Sequence, residues 1–279
     1  MASVWDYEGR RVLVSGGGGA GMGAATVREL VALGAEVHVI DLREPPAGVA
    51  GYHRVDLRDP AATEEAVKEV GGPLHALFNC AGLPGDKFPD LDVMVVNFVG
   101  MRHLAELVAD RMGAGGAIAS ISSTAGMGWM GNVARWMPLI TTEGFAAGRE
   151  WCEAHPDEIR GGYLPSKEAI IIWTLWASRR LARRGIRCNC ISPGPTQTPM
   201  MAAFEEQMGR QFMADFPVPL GRHSTPEEQA RVLVFLNSEA ASFVTGENVI
   251  TDGGTLGGII TGTIDASAFA GAGAGGGAA

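Results

Sequence analysis

Lysine is nearly missing from this chain. Three of its 22 basic residues are lysines (Lys68, Lys87 and Lys167), and the rest are arginines. A lysine that survives such a bias marks a place where a compact ammonium could be needed rather than a guanidinium fork. Basic residues are also outnumbered, leaving a net charge of −9. That excludes nucleic acid as a partner, because phosphate binding needs a basic footprint. The four cysteines, Cys80, Cys152, Cys188 and Cys190, form no CxxC pair, and no two histidines stand at a metal-ligand spacing, so no metal is expected. No apolar run reaches 18 residues, which predicts no membrane span. The opening MASVWDYEGRR lacks the hydrophobic stretch of a signal peptide, so a cytoplasmic protein is the expectation. No interdomain linker and no solenoid-length repeat appear.

What is present is a core-forming chain with 46% apolar residues over 279 positions. Its pattern alternates strand and helix. Arg11–Ser15 reads as a strand, followed by a glycine-rich turn and a helix to about Leu33. Strands are expected at 35–40, 52–55, 74–79, 117–122, 186–191 and 248–251. Helices are expected at 59–70, with Asp59 as N-cap and Pro60 in the first turn, and over most of 91–112. Further helices are expected at 163–184, closed by Gly185, and at 226–238. Repeated strand–helix units with apolar strands imply an α/β fold. The expected form is a doubly wound parallel sheet of about seven strands, Rossmann-type, with helices on both faces. Residues 1–265 then form a single domain, and 266–279 a Gly/Ala-rich tail.

Tyr163 and Lys167 share one helix face a turn apart. A free phenol has a pKa near 10 and is a poor acid–base catalyst at neutral pH. A fixed cation favours the phenolate, and work near pH 7 needs a shift of roughly 3 units, about 4 kcal/mol. The lysine could supply part of this and a positively charged bound cofactor the rest. The turn Ser15-Gly16-Gly17-Gly18-Gly19-Ala20-Gly21-Met22-Gly23 follows a strand and opens a helix. There glycines admit a pyrophosphate and the helix N-terminus offers unpaired N–H groups. Asp41 ends the second strand, 18 residues beyond Gly23. A carboxylate at that point accepts both adenosine-ribose hydroxyls and repels a 2′-phosphate, favouring NAD over NADP. Arg43 nearby is the opposing signal.

With Asn79-Cys80-Ala81-Gly82, Asn97, Ser122-Ser123, Tyr163-x-x-x-Lys167 and Pro193-Gly194 in order, the chain resembles the short-chain dehydrogenase/reductase family from about Arg11 to Gly254. The resemblance implies that Tyr163 is the general acid–base group. Lys167 becomes its pKa-lowering partner and a donor to the nicotinamide ribose, and Ser123 holds the substrate oxygen. Asn97 marks the backbone that positions a water of the proton relay. It further implies dinucleotide contacts at Gly17, Gly21, Met22, Gly23, Asp41, Asp56, Asn79, Ala81, Gly82, Pro193, Gly194 and Thr198, with Asp56 meeting the adenine and Thr198 the carboxamide.

Three departures stand out. The turn has one residue more between Gly16 and Gly21 than the usual pattern, so which glycine meets the pyrophosphate stays open. The helix after the second strand is nearly absent. Between Ser123 and Tyr163 lie 39 residues, where the family usually has about a dozen. The long insertion, the segment DLREP and the run PGPTQTPM resemble the branch typified by bacterial 3α-hydroxysteroid dehydrogenase/carbonyl reductase. There the insertion alters subunit packing, which leaves homodimer and homotetramer both as expectations. Seven of the twelve methionines lie in the insertion, 124–162, or in the expected substrate lid, 196–220. Together with Trp129, Trp136, Trp151, Phe204, Phe212 and Phe216 they suggest adaptable apolar surface. The implied substrate is a secondary alcohol or ketone on a bulky apolar frame, steroid-like or aryl. A primary allylic or benzylic alcohol dehydrogenase, and a dinucleotide sensor without chemistry, are the alternatives.

Overall fold

The computed structural model describes residues 4–85 and 87–265; the Gly/Ala-rich tail expected at 266–279 lies outside them. Seven parallel strands form one sheet: β1 (Arg11–Ser15), β2 (Glu36–Asp41), β3 (Gly51–Arg54), β4 (Leu74–Asn79), β5 (Met112–Ile121), β6 (Arg187–Pro193) and β7 (Asn248–Thr251). Their spatial order is β3-β2-β1-β4-β5-β6-β7. The strands are apolar on both faces because helices cover both. Val12, Val14, Val37, Val39, Phe78 and Ile191 point into one core with Val27 and Leu30 of helix α1 (Met22–Ala32) and Leu233 of a later helix. Their neighbours Leu13, Ile40, Leu77, Ile118, Cys188 and Cys190 point the other way. The period-2 alternation of a strand produces both cores from one run of residues.

The crossover direction reverses between β1 and β4, and the carboxyl ends of those two strands open the cleft that such a reversal creates. Helix α2 (Pro60–Val70) starts where expected: the Asp59 side chain accepts from Ala62 N at 3.0 Å. No helix lies between β2 and β3, in keeping with Pro45 and Pro46. The predicted helix over 91–112 is three pieces: α3 (Asp90–Met94), a π-helical turn (Val95–Gly100) and α4 (Met101–Ala109). It ends early because Met112 already pairs with Leu74, and β5 runs through Gly113–Gly116 with a register shift.

The insertion folds into α5 (Trp129–Ile140) and α6 (Gly144–Ala154), and the long α7 (Tyr163–Ala182) follows. Gly185 takes φ +71° and its N–H bonds to Ala182 O at 3.0 Å, closing α7 as its sequence position predicts. Over the cleft lie α8 (Met201–Met208) and α9 (Arg210–Ala214). Helix α10 (Pro226–Asn237), with a capping box from Thr225 and Glu228, packs on α1, and the short α11 (Thr255–Ile260) comes last.

Candidate active site

The glycine turn is shaped by its neighbours. Gly16 has φ +70°, and a Cβ there would stand 2.3 Å from Ala81 N. A Cβ on Gly23 would stand 2.0 Å from Gly16 O, so α1 meets the strand end through glycine on both sides. The N–H groups of Gly16 and Gly19 donate to Ile40 O (2.9 Å) and Glu44 O (3.1 Å), and Gly18 N donates to Asp41 Oδ2 at 2.8 Å. The first N–H groups of α1, from Met22 onward, have no partner earlier in the helix, as at any helix start. Gly21 is the N-cap, and a Cβ on it would meet nothing within 4 Å. The open glycine and the helix start therefore coincide at Gly21–Gly23, a cradle suited to a pyrophosphate.

A cleft of about 530 Å³ runs from this turn past the strand ends. Gly21, Met22, Gly23, Asp41, Asp56, Ala81, Gly82 and Thr198 all line it, as expected from the sequence. Tyr163 and Lys167 lie behind its wall, and four further expected residues do not line it. Gly17 faces the core, where a Cβ would stand 2.9 Å from Val27 Cγ2; its neighbours Gly16 and Gly18 line the cleft in its stead. Asn79 is buried and donates to Ser120 Oγ at 3.2 Å, bracing β4 to β5 behind the cleft. Pro193 and Gly194 also lie outside the lining: Pro193 pairs with Thr251 in the sheet, and a Cβ on Gly194 would stand 2.9 Å from Asp252 Cα.

Residues to which sequence reading gave no role also line the cleft, among them Cys80, Arg58, Lys87 and Phe88. Cys80 is half-buried and its thiol is pushed up to about 12 by burial, so it presents a weakly polar wall rather than a nucleophile. Arg58 Nη2 bonds Asp56 Oδ2 at 2.6 Å and holds that carboxyl below its usual range, and Arg58 Nη1 reaches Asp92 at 2.8 Å. Asp41 keeps its orientation through Gly18 N and through Arg43 N at 2.8 Å, while the Arg43 guanidinium folds over Gly19. The scarcity of lysine was the one signal that could have singled out Lys87, which pairs with Glu206 of α8 at 2.7 Å across the cleft mouth.

Ser123, Tyr163 and Lys167 converge beyond Gly82. Tyr163 opens α7 after Gly162, which takes φ +46° with no room for a larger residue: a Cβ would stand 2.9 Å from Val93 Cβ. Lys167 is 4% exposed; its Nζ donates to Ile121 O at 3.0 Å and lies 5.2 Å from the centre of the Tyr163 ring. A Cβ on Gly82 would lie 3.9 Å from that same Nζ, which sets the ammonium just behind the cleft wall at Gly82. The Asn97 side chain serves structure. Its Oδ1 accepts from Leu83 N at 2.7 Å, and its Nδ2 donates to Leu83 O at 3.0 Å and Ser166 Oγ at 3.1 Å, while its backbone sits in the π-helical turn. Phe204 of α8 meets the Tyr163 ring edge-on at 5.4 Å.

One electrostatic expectation is corrected. Burial is the largest influence on the Tyr163 phenol and pushes its pKa up; a hydrogen bond with Ser123 opposes this, and Lys167 is not among the groups that lower it. The same burial lowers the Lys167 ammonium from 10.5 to about 8. Desolvation weakens both charged forms, so the pair alone does not make an acidic phenol.

The insertion corrects another. Trp136 is fully buried in the core and tilts against Trp151, which stacks on His155. These two tryptophans build the insertion rather than a substrate wall. Met130 is 71% exposed and Met200 lines the cleft.

A family model described as short chain dehydrogenase matches residues 10–134, and one described as enoyl-(acyl carrier protein) reductase matches 155–255. The chain belongs to the short-chain dehydrogenase/reductase family and is an oxidoreductase with a nicotinamide dinucleotide site. It is 31% identical over 246 residues to coniferyl-alcohol dehydrogenase of a Pseudomonas species, covering 88% of this chain and 96% of that one. It is 31% identical over 248 residues to 3-alpha-hydroxysteroid dehydrogenase/carbonyl reductase of Comamonas testosteroni, covering 87% and 95%. Among solved structures, 3-alpha-hydroxysteroid dehydrogenase from Pseudomonas sp. B-0831, complexed with NADH, superposes with TM-score 0.75 at 26% identity over 91% of this chain and all of the other. BdcA in complex with NADPH gives 0.61 at 27% identity over 88% and 94%. Among the described residues, no helix is long and apolar enough to cross a membrane.

Proposed function

We propose that the protein is an NAD(H)-dependent dehydrogenase that interconverts a secondary alcohol and a ketone on a bulky apolar frame. The observation that carries this reading is the convergence of Ser123, Tyr163 and Lys167 at the end of the dinucleotide cleft. The residues suit the cofactor: the Gly21–Gly23 cradle would hold the pyrophosphate, Asp41 the adenosine ribose, Asp56 the adenine edge and Thr198 the carboxamide. When bound, the nicotinamide supplies the hydride acceptor or donor. Asp41 favours NAD, since a 2′-phosphate would meet its carboxylate. A neighbour with bound NADPH is the reason to test it.

In the oxidative direction Tyr163 acts as the phenolate, a form that the positive charge of a bound oxidised nicotinamide would favour; it takes the alcohol proton while Ser123 donates to the same oxygen and steadies its changing charge. Lys167 uses one donor on Ile121 O and keeps others for ribose hydroxyls. In the reductive direction the raised phenol pKa suits Tyr163 as the acid: at neutral pH it carries the proton it delivers. A primary allylic or aryl alcohol is the second reading, favoured by the relative named for coniferyl alcohol. Tyr163→Phe should lower turnover by about 10²–10⁴-fold while the NADH dissociation constant stays within about threefold. Residual turnover near the parent's would overturn the assignment. A panel of steroidal, aryl and allylic alcohols, run with NAD and again with NADP, separates the substrate readings.

A further inference from the structure

We infer that Glu168 is a positioning residue, through which the insertion holds the Ser123 turn against the catalytic helix; this rests on the dehydrogenase reading above. Glu168 follows Lys167 on α7, so its side chain leaves the helix about 100° further round, away from the cleft. It is 2% exposed. Its carboxylate accepts from Asn132 Nδ2 at 2.9 and 3.0 Å and from Trp136 Nε1 at 2.7 Å, both donors on α5. A buried carboxylate needs partners of this kind, and here they are neutral N–H groups of the insertion.

The same two residues of α7 receive the whole end of β5. Ser122 Oγ donates to Lys167 O at 2.8 Å, and Lys167 Nζ returns a bond to Ile121 O at 3.0 Å. Gly126 lies on the helix backbone, where a Cβ would stand 2.8 Å from Lys167 C, and a Cβ on Gly128 would stand 2.6 Å from Glu168 Oε1. Ser123 therefore sits between a fixed point at Ser122 and a second one at Gly126–Gly128, which the Glu168 carboxylate ties to α5. Without the second, the turn keeps the Ser122 bond and the bond from Thr124 Oγ1 to Pro193 O at 3.2 Å, and loses its tie to the insertion. A displacement of Ser123 by a fraction of an ångström costs rate rather than nucleotide affinity, because the cradle lies on a different turn.

Glu168→Gln keeps the shape but turns an acceptor into a donor facing Asn132. It should lower kcat by about tenfold, with the NADH dissociation constant within about twofold. The reversed pair Asn132→Asp/Glu168→Gln lets the new amide donate to the carboxylate while its oxygen still accepts from Trp136. It should recover kcat to within about threefold of the parent. Kinetics, NADH binding by fluorescence titration and Tm are measured on all three proteins. Recovery of Tm without recovery of kcat would overturn the positioning role, as would a Glu168→Gln variant with parental kcat. If Glu168→Gln does not fold, Asn132→Ala, which removes one donor only, should lower kcat about threefold, and parental kcat there overturns the inference. A parent that turns over no alcohol or ketone refutes the dehydrogenase reading and this inference with it; a parent that turns over beside unaffected variants refutes this inference alone.

Discussion

Lys167→Met should make the protein more stable while abolishing its chemistry. The ammonium is buried and, among the described residues, has one hydrogen bond, to Ile121 O, and no carboxylate partner. A fall from 10.5 to about 8 corresponds to about 3 kcal/mol of cost for burying the charged form. Methionine removes that cost. It leaves the Ile121 carbonyl without its donor, which costs about 1 kcal/mol, and gives up the contact over the Tyr163 ring, about 0.5 kcal/mol. The net gain at pH 7 is about 1–2 kcal/mol, or roughly 2–4 °C in Tm for a chain of this size. The pH dependence supplies the sign. Below about pH 8 the lysine is charged in both folded and unfolded chains, and the cost is fully present. From about 8 to 10.5 the unfolded chain binds the extra proton, so the parent gains stability as pH rises through that window. Urea unfolding of both proteins at pH 7 and pH 10 tests this. The variant should lead at pH 7 and lose its lead at pH 10. A variant less stable than the parent at pH 7, or a difference unchanged by pH, would refute the account of a desolvated ammonium.

Three further outcomes are expected. Asp41→Ala removes the carboxylate held by Gly18 and Arg43; it should raise KM for NAD about tenfold and open turnover with NADP, read from parallel titrations of the two cofactors. Arg102→Met leaves Leu139 O, Thr142 Oγ1 and Gly144 O without the guanidinium that reaches them at 2.9, 2.8 and 2.7 Å. About 3 kcal/mol of stability should go, and hydrogen exchange should quicken over 129–154 before the rest of the chain. Phe204→Ala removes the contact of α8 with Tyr163; KM for the alcohol should rise several-fold with NADH affinity unchanged.

Strands and the two-faced sheet were legible because periodicity and punctuation agree: β4 and β7 fall on the residues expected, and Asp59 caps α2 as its spacing implies. The boundary near 110 was not, because Met112–Gly116 carries no strand pattern and is recruited by pairing with Leu74. Tyr163 and Lys167 stood out in the sequence by their four-residue spacing, and Ser123 only through the family resemblance. Gly17, Asn79, Pro193 and Gly194 could not be placed, because whether a residue on a turn faces cleft or core depends on what packs behind it: Val27 for Gly17 and Asp252 for Gly194. The tryptophans of the insertion misled for a related reason. An apolar ring has the same signature whether it contacts a ligand or another helix, and its burial, together with the buried Glu168 and Arg102, reveals that α5 and α6 are part of the core.

Those two charges give the insertion a kind of permanence. One end of α5 is tied to a carboxylate from α7, and the junction of α5 with α6 to a guanidinium from α4. Trimming the segment would strand an ion of each sign inside the protein, and neither could be tolerated until its own residue changed too. A shorter descendant therefore lies several simultaneous substitutions away, whereas lengthening the exposed turn after α6, at 154–157, touches neither Glu168 nor Arg102. Drift in this lineage can decorate the extension far more easily than it can shed it.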